Sequence, residues 1–291
     1  MSDNLIRCLA FNKQVRVILV DNTNLIQARC NPLETPKLTK TALAKTLTIA
    51  SLISGTLKDT QRISLRVAAT DQNYQVLAEA DAEGNVRGFV SQPFFNLEPD
   101  QVENMTLPEF FGERGGIQVI KDLGRYGKMF TGVTKMPYGN IVDDFSYYFE
   151  QSEQTSSVFY LSLLFDEQNH ITLSRGLFAQ VLPGGSEELM QQLIDAVKLS
   201  PLFAPETNLA EIFQHGADSI DQVLAIDLEV LSIEPIQFRC NCSKEVLMPL
   251  LSSLTAEDIQ WYIERQEDIE VACNMCGEKH YIDPHEVTPG T

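Results

Sequence analysis

Four of the six cysteines in this 291-residue chain form two tight pairs near its end. Cys240 and Cys242 read C-N-C, Cys273 and Cys276 read C-N-M-C, and thirty residues separate the pairs. Two close pairs held that far apart can converge on one tetrahedral ion, and four thiolates make Zn²⁺ the natural occupant. Four sulfurs fill the coordination sphere and leave no position for water, which argues against a hydrolytic zinc enzyme. His280 and His285 stand nearby in sequence, but the sulfurs suffice without them. Gly277, directly after Cys276, suits a tight turn in which backbone N–H groups point at ligand sulfurs.

The same spacing has a redox consequence. Each pair is short enough for a local disulfide, and neither such bond would join the two halves of the site. A metal staples the segment across thirty residues, whereas local disulfides release it. Zinc binding can supply on the order of 10–16 kcal/mol that is also folding free energy. Losing the long cross-link costs on the order of 3–4 kcal/mol in the chain-entropy model, apart from the metal bonds. Zinc also holds sulfur as thiolate, the form that oxidants attack. Residues 236–291 carry ten acidic and four basic side chains, so like charge opposes their compaction once the metal leaves. A permanently closed structural zinc module is the plainer reading; the small segment and the local pairs favour a switch.

Composition narrows the field. A formal charge of −18 and 22 basic against 40 acidic residues exclude a phosphate-neutralising nucleic-acid binder. The N-terminus lacks the uninterrupted apolar run of a signal peptide, and the most membrane-like stretch, Ala44 to Leu57, is short and broken by Thr and Ser. A cytoplasmic location follows as the expectation, with reduced thiols at rest. Cys8 and Cys30 lie far from the pairs and read as small packing hydrophobes. No GxxxxGK[ST] loop is present, consistent with a mode of action that does not use ATP. Glu150 to Gln154 form a polar stretch with no paired nucleophile and base, so they read as helix-end surface and the chain as no enzyme.

The positioning elements read as α+β: an N-terminal mixed α/β-sheet domain over 1–181, an amphipathic helical linker over 182–235 and a small C-terminal zinc-binding redox-switch domain over 236–291. The first thirty residues read as a β-meander with strands at Leu5-Ile6, Val15 to Val20 and Leu25-Ile26. Thr35-Pro36 opens a helix ending near Gly55. Strands follow around Arg62 to Val67, Tyr74 to Ala78 and Val86 to Val90, and then in a β-rich block from Gly116 to Val133. A helix over about Ile141 to Ser152 precedes strands near Val158 to Phe165 and Ile171 to Leu182. After Leu182-Pro183-Gly184-Gly185, Ser186 can cap a helix with Leu189, Leu193 and Val197 on one face. Two further short helices carry Leu209, Ile212 and Phe213, then Ile220, Val223 and Leu224 from Ser219. Such pieces need a neighbour to cover their apolar faces. In the last segment Ser243 caps a short helix that Pro249 ends, Thr255 and Asp258 form a capping box, and Ile269 to Ala272 with Lys279 to Ile282 make a hairpin around the second pair.

The chain closely resembles the 33-kDa redox-regulated heat-shock chaperone family of bacteria. The two cysteine pairs and their separation match the family's zinc centre, and TALAKTLTIASLISGTLK, GNVRGFV, VIKDLG, YFEQSEQ and QVLPGG match it far from that centre. The resemblance covers essentially the whole length; it departs at Ala68 to Gln72, where the family favours Gly and Pro, and at Thr155-Ser156. It implies an ATP-independent holdase of the stress response, zinc-bound and inactive when reduced, that binds unfolding client proteins under oxidative stress. Cys240, Cys242, Cys273 and Cys276 are thereby implied as zinc ligands and redox sensors, with bridges Cys240–Cys242 and Cys273–Cys276 on activation. Homodimerisation when activated and handover of clients to ATP-dependent foldase chaperones are implied as well. The resemblance includes no membrane and no nucleic-acid partner. A dithiol–disulfide oxidoreductase using Cys273 and Cys276 is the rival reading, and a binding-only zinc ribbon another.

Overall fold

Helix α2 (Lys37–Ser54) is apolar almost all round, and the fold explains why: fifteen of its residues are buried. In the computed structural model, which describes residues 3–125, 127–207, 212, 224 and 226–288, it lies between two β-sheets. Most of its hydroxyls bond back to its own carbonyls instead of seeking water. Thr46, Thr48 and Ser51 hydroxyls donate to the oxygens of Ala42, Ala44 and Leu47 at 2.8, 2.8 and 2.9 Å. The stretch that looks most membrane-like in the sequence is thus a buried core helix, and no helix among the described residues is long and apolar enough to cross a membrane.

The chain divides into two compact units, 1–238 and 239–291. In the first, β1 (Asn4–Ala10), β2 (Val15–Asp21), β8 (Ser157–Phe165), β9 (Ile171–Val181) and β10 (Leu228–Pro235) form an antiparallel sheet in the order β10-β1-β2-β9-β8. A second sheet runs β11-β5-β4-β3-β6-β7, from β3 (Arg62–Ala68), β4 (Gln75–Asp81), β5 (Asn85–Val90), β6 (Gly116–Asp122), β7 (Met129–Lys135) and the two-residue β11 (Gln237–Phe238). Only β11 is parallel to its neighbour. Short helices α3 (Pro99–Val102) and α4 (Leu107–Phe111) precede β6, and α5 (Val142–Glu153) precedes β8. The mixed α+β class expected from the sequence is the class observed.

Alternation along β2 and β9 shows how the five-stranded sheet is used. Ile18, Val20 and Phe178 face α2, while Val17, Leu19, Leu177 and Ala179 face the other way into a second apolar cluster. That outer face is covered by the segment beyond β9. Helix α6 (Glu187–Leu199) supplies Met190, Leu193 and Val197, and Leu202, Phe203 and Leu224 complete the cover, against which Leu228 of β10 also packs. Arg175 of β9, only 6% exposed, fixes this cover: it bonds Asp21 and donates to the carbonyls of Leu202, Ala204 and Thr207 at 3.1, 2.9 and 2.8 Å.

Several local readings change. Leu25-Ile26 belong to a helix, α1 (Thr23–Cys30), not a third strand. Its orphan N–H groups are taken by carboxylates: Asp21 accepts from Thr23, and Asp3 accepts from Asn24 and Leu25. The Asp-Asn-Thr-Asn signal therefore starts a helix. Ser186 occupies the N-cap position of α6 without a side-chain cap bond. Leu228–Pro235 form strand β10 against β1, so the tail of the 182–235 segment is sheet and not helix. Of the two short helices read beyond Pro205, Leu209, Phe213, Ser219, Ile220 and Val223 lie outside the described residues, whereas Ile212 and Leu224 are helical.

A buried polar knot joins β2, α2 and β9. The Asn22 amide donates to Thr48 and Ser51 at 3.2 and 3.1 Å, and its oxygen accepts from Ser174 at 2.9 Å. Asn22→Ala removes three buried hydrogen bonds, although Thr48 and Ser51 keep their bonds to α2 carbonyls and Ser174 its bond to Thr48, which should cost about 1–3 kcal/mol. The expected readout is a lower urea midpoint at unchanged slope; an unaltered midpoint would count against the knot.

The second unit holds its own antiparallel hairpin, β12 (Ile269–Ala272) with β13 (Lys279–Ile282), a short helix Lys244–Leu247 and a longer one, Ala256–Arg265. The Thr255 and Asp258 capping box forms as expected, and Ser243 accepts from the N–H of Val246. The core is thin. Leu251, Ile259, Ile269, Ile282 and Val287 are its buried side chains.

Candidate metal centre

All four paired cysteines fall in the second unit and their sulfurs meet. The β12–β13 hairpin presents Cys273 and Cys276 in a knuckle: the Cys273 N–H donates to the Glu278 carbonyl at 2.9 Å, and the Gly277 N–H donates back to the Cys273 carbonyl at 2.8 Å. Gly277 holds φ at +71°, a conformation that a side chain would disfavour. Cys240 and Cys242 approach from the irregular stretch between β11 and helix Lys244–Leu247, whose N-cap is Ser243. Cys240 Sγ lies 3.8 Å from Cys273 Sγ, and Cys242 Sγ lies 3.4 Å from Cys276 Sγ.

All four sulfurs lie within 4.8 Å of one another. A tetrahedral ion with metal–sulfur bonds of about 2.3 Å requires sulfur–sulfur edges of about 3.8 Å, so the cage fits an ion of zinc's size. The electrostatics ask for a cation too. Burial, then the crowding of neighbouring thiols, drives Cys242 far up from its ordinary value. Burial likewise pushes Cys276 up to about 11. Burial raises Cys240 as well, but the Cys242 N–H and the adjoining thiols donate to it and leave it below its usual range. Four thiols in one pocket cannot all ionise alone, whereas a divalent cation deprotonates them outright.

Access is uneven. Cys273 and Cys276 are 5% and 3% exposed, while Cys240 and Cys242 are half-buried. His280 reaches the set from β13, with Nε2 3.4 Å from Cys242 Sγ, and Glu278 approaches the same sulfur at 3.7 Å. Neither contact is evident from spacing alone; alternation along β13, which turns His280 to the same side as Ile282, is the signal that could have found the first. The pair Cys273 and Cys276 sits between two strands, not at the start of a helix after a strand, which runs against a thioredoxin-like dithiol site.

The remaining cysteines are elsewhere. Cys8 packs in the outer cluster and Cys30 in the α2 core, both fully buried, and burial pushes the Cys30 thiol up to about 12. The polar stretch 150–154 ends α5, where Glu153 pairs with Lys121 at 2.7 Å.

Comparison with known proteins places this arrangement. The family profile described as "Hsp33 protein" matches residues 3–283. The "33 kDa chaperonin" of Oceanobacillus iheyensis is 31% identical over 295 residues, spanning 99% of this chain and 98% of the relative. The protein of the same name from Bacillus mycoides is 29% identical over 289 residues, with the same coverage. Among solved structures, the 33 kDa chaperonin (heat shock protein 33 homolog) of Thermotoga maritima superposes with a TM-score of 0.77 at 21% identity, covering 98% of this chain and 96% of that one. At that identity the superposition speaks for the fold.

Proposed function

Because the chain belongs to the Hsp33 protein family, a family of chaperones, we propose that it is a redox-regulated, ATP-independent holdase, kept inactive by zinc while its thiols are reduced. The observation that carries this reading is the convergence of four sulfurs from the two ends of a unit with a five-residue buried core. In this reading Cys240, Cys242, Cys273 and Cys276 are the ligands and also the sensors. Zn²⁺, when bound, supplies the bonds that tie residues 240–242 to residues 273–276 and keeps the sulfurs as thiolates.

Peroxide is the oxidant. A thiolate sulfur attacks one peroxide oxygen; the S–O bond forms, the O–O bond breaks, and hydroxide leaves to be protonated by solvent. The partner thiolate then attacks the sulfenic sulfur, closing the disulfide and expelling a second hydroxide. Bridges Cys240–Cys242 and Cys273–Cys276 leave the two ends of the unit untied. The excess of acidic over basic side chains in residues 236–291 then favours expansion.

Strands β10 and β11 run directly into Cys240. We propose that loss of the second unit loosens residues 182–235, so that edge strand β10 weakens and the cover before it leaves the outer face of the five-stranded sheet, making two apolar surfaces available to clients. The division into 1–181, 182–235 and 236–291 describes these three roles. The activated form dimerises, passes clients to ATP-dependent foldases and works in the cytoplasm, without nucleic acid, membrane or catalytic turnover as part of its task.

The test is oxidant-triggered protection. Peroxide-treated, zinc-free protein should suppress the light scattering of a heat-aggregating enzyme at near-equimolar ratio, and the reduced zinc form should not. Scattering unaltered by the oxidised form, or suppressed equally by the reduced one, would overturn the proposal.

A further inference from the structure

The four sulfurs of the centre differ in what donates hydrogen bonds to them. Cys240 accepts from the backbone N–H of Cys242, Cys273 from that of Met275 at 3.4 Å, and Cys276 from that of Glu278. No backbone N–H reaches Cys242 among the described residues. Its polar neighbours outside the four sulfurs are the His280 imidazole at 3.4 Å and the Glu278 carboxylate at 3.7 Å. Cys242 is also one of the two half-buried sulfurs, within reach of a small oxidant. The most weakly protected thiolate is therefore the one that a side chain serves.

We propose that His280 is a positioning residue for the redox centre: its Nε2–H donates to the Cys242 thiolate, draws charge from that sulfur and slows its attack on peroxide. The inference rests on the zinc-switch reading above and deepens it, by naming the residue that sets the oxidation threshold.

The chemistry is that of outer-shell tuning. A hydrogen bond to a metal-bound thiolate stabilises the charge, and a less basic sulfur is a poorer nucleophile. The neutral tautomer with hydrogen on Nε2 suffices. Strand β13 holds the ring in place, because Val271 of β12 pairs with His280 and Ile282 anchors the same face in the small core. Glu278 can only repel a thiolate at that distance, so the imidazole is the group that compensates. In the step affected, the Cys242 sulfur forms its S–O bond with peroxide as the O–O bond breaks and hydroxide departs; His280 is not consumed.

The full-length zinc protein is the material for the test, compared as wild type, His280→Ala and His280→Gln. Zinc release is followed with a chromophoric chelator, once with hydrogen peroxide and once with chelator alone. His280→Ala should release zinc about three- to tenfold faster under peroxide, at unchanged chelator-only rate and one zinc per chain. His280→Gln, which keeps an N–H donor, should return most of the way to wild type. Cobalt-substituted His280→Ala should keep the charge-transfer spectrum of four thiolates.

An unchanged or slower peroxide rate in His280→Ala overturns the proposal. So does equal acceleration in the chelator-only arm, which would mark a merely structural residue, or a changed cobalt spectrum, which would make His280 a ligand. A wild type that binds no zinc, or that keeps it under peroxide, would instead defeat the switch itself, and the two failures are told apart by that control.

Discussion

Cys273→Ser is expected to abolish tight zinc binding and to leave residues 239–291 unfolded at 25 °C, with the sheets of the first unit intact. A segment of that length buries too little to be more than marginal unaided, and here its apolar cluster holds just five buried side chains among the described residues, Leu251, Ile259, Ile269, Ile282 and Val287. Metal binding of about 10–16 kcal/mol exceeds anything such a core provides. Serine keeps the knuckle's backbone bonds, from the Cys273 N–H to Glu278 and from Gly277 to the Cys273 carbonyl. It removes the thiolate that faces Cys240 at 3.8 Å. A neutral alcohol is a poor zinc ligand, so one corner of the cage is lost and the tie between the two ends with it. Zinc per chain and amide dispersion of residues 239–291 are the measurements. Retention of one zinc at wild-type affinity, or a dispersed spectrum without metal, would refute the expectation. Cys8→Ser is the internal control, because Cys8 is buried in the outer cluster of the other unit and should leave the zinc content alone.

The centre was legible because its information is local and chemical. Two cysteine pairs, a glycine after the second and the Thr255–Asp258 box each specify a short piece of backbone, and the pieces formed where their residue types required. Helix α2 was legible for its length and its apolar period. What escaped depends on partners distant in sequence. Leu25-Ile26 are too short an apolar run to distinguish strand from helix, and the choice was made by Asp3 and Asp21 accepting the first N–H groups of α1. Strand β10 alternates Leu228, Val230 and Ser232 with Glu229, Leu231 and Ile233, a weak pattern that gains meaning only from pairing with β1, more than two hundred residues away. Neither did the sequence reveal what covers α6. The answer, the outer face of β1, β2 and β9, explains why those strands read as continuous apolar runs: both faces are covered.

Arg175→Ala is expected to loosen the cover without any oxidant. The guanidinium is nearly enclosed, pairs with Asp21 at 3.0 Å and donates to the carbonyls of Leu202, Ala204 and Thr207. Truncating one partner of a buried charged pair costs about 3–5 kcal/mol, because the other groups stay buried unpaired. Here they are one carboxylate, which still accepts from Thr23, the Ala204 carbonyl, which still accepts from the Thr207 N–H, and the Leu202 and Thr207 carbonyls, which turn to water. The least costly response is for residues 200–207 to leave the sheet and hydrate, and α6 then loses the neighbours that hold Met190, Leu193 and Val197 against Leu19 and Leu177. An amphipathic helix of thirteen residues does not persist alone in water, so the detachment should spread along it. Hydrogen exchange across residues 187–203 should accelerate by roughly two orders of magnitude or more, given the same 3–5 kcal/mol. Exchange within α2 should stay slow. If exposure of these faces is what binds clients, the reduced, zinc-loaded Arg175→Ala protein should already suppress aggregation. Full protection of residues 187–203 would refute the clamp, whereas fast exchange with no gain in client binding would refute the assignment of these faces to client capture. The clamp and the capture surface thus stand or fall on separate readings of one variant.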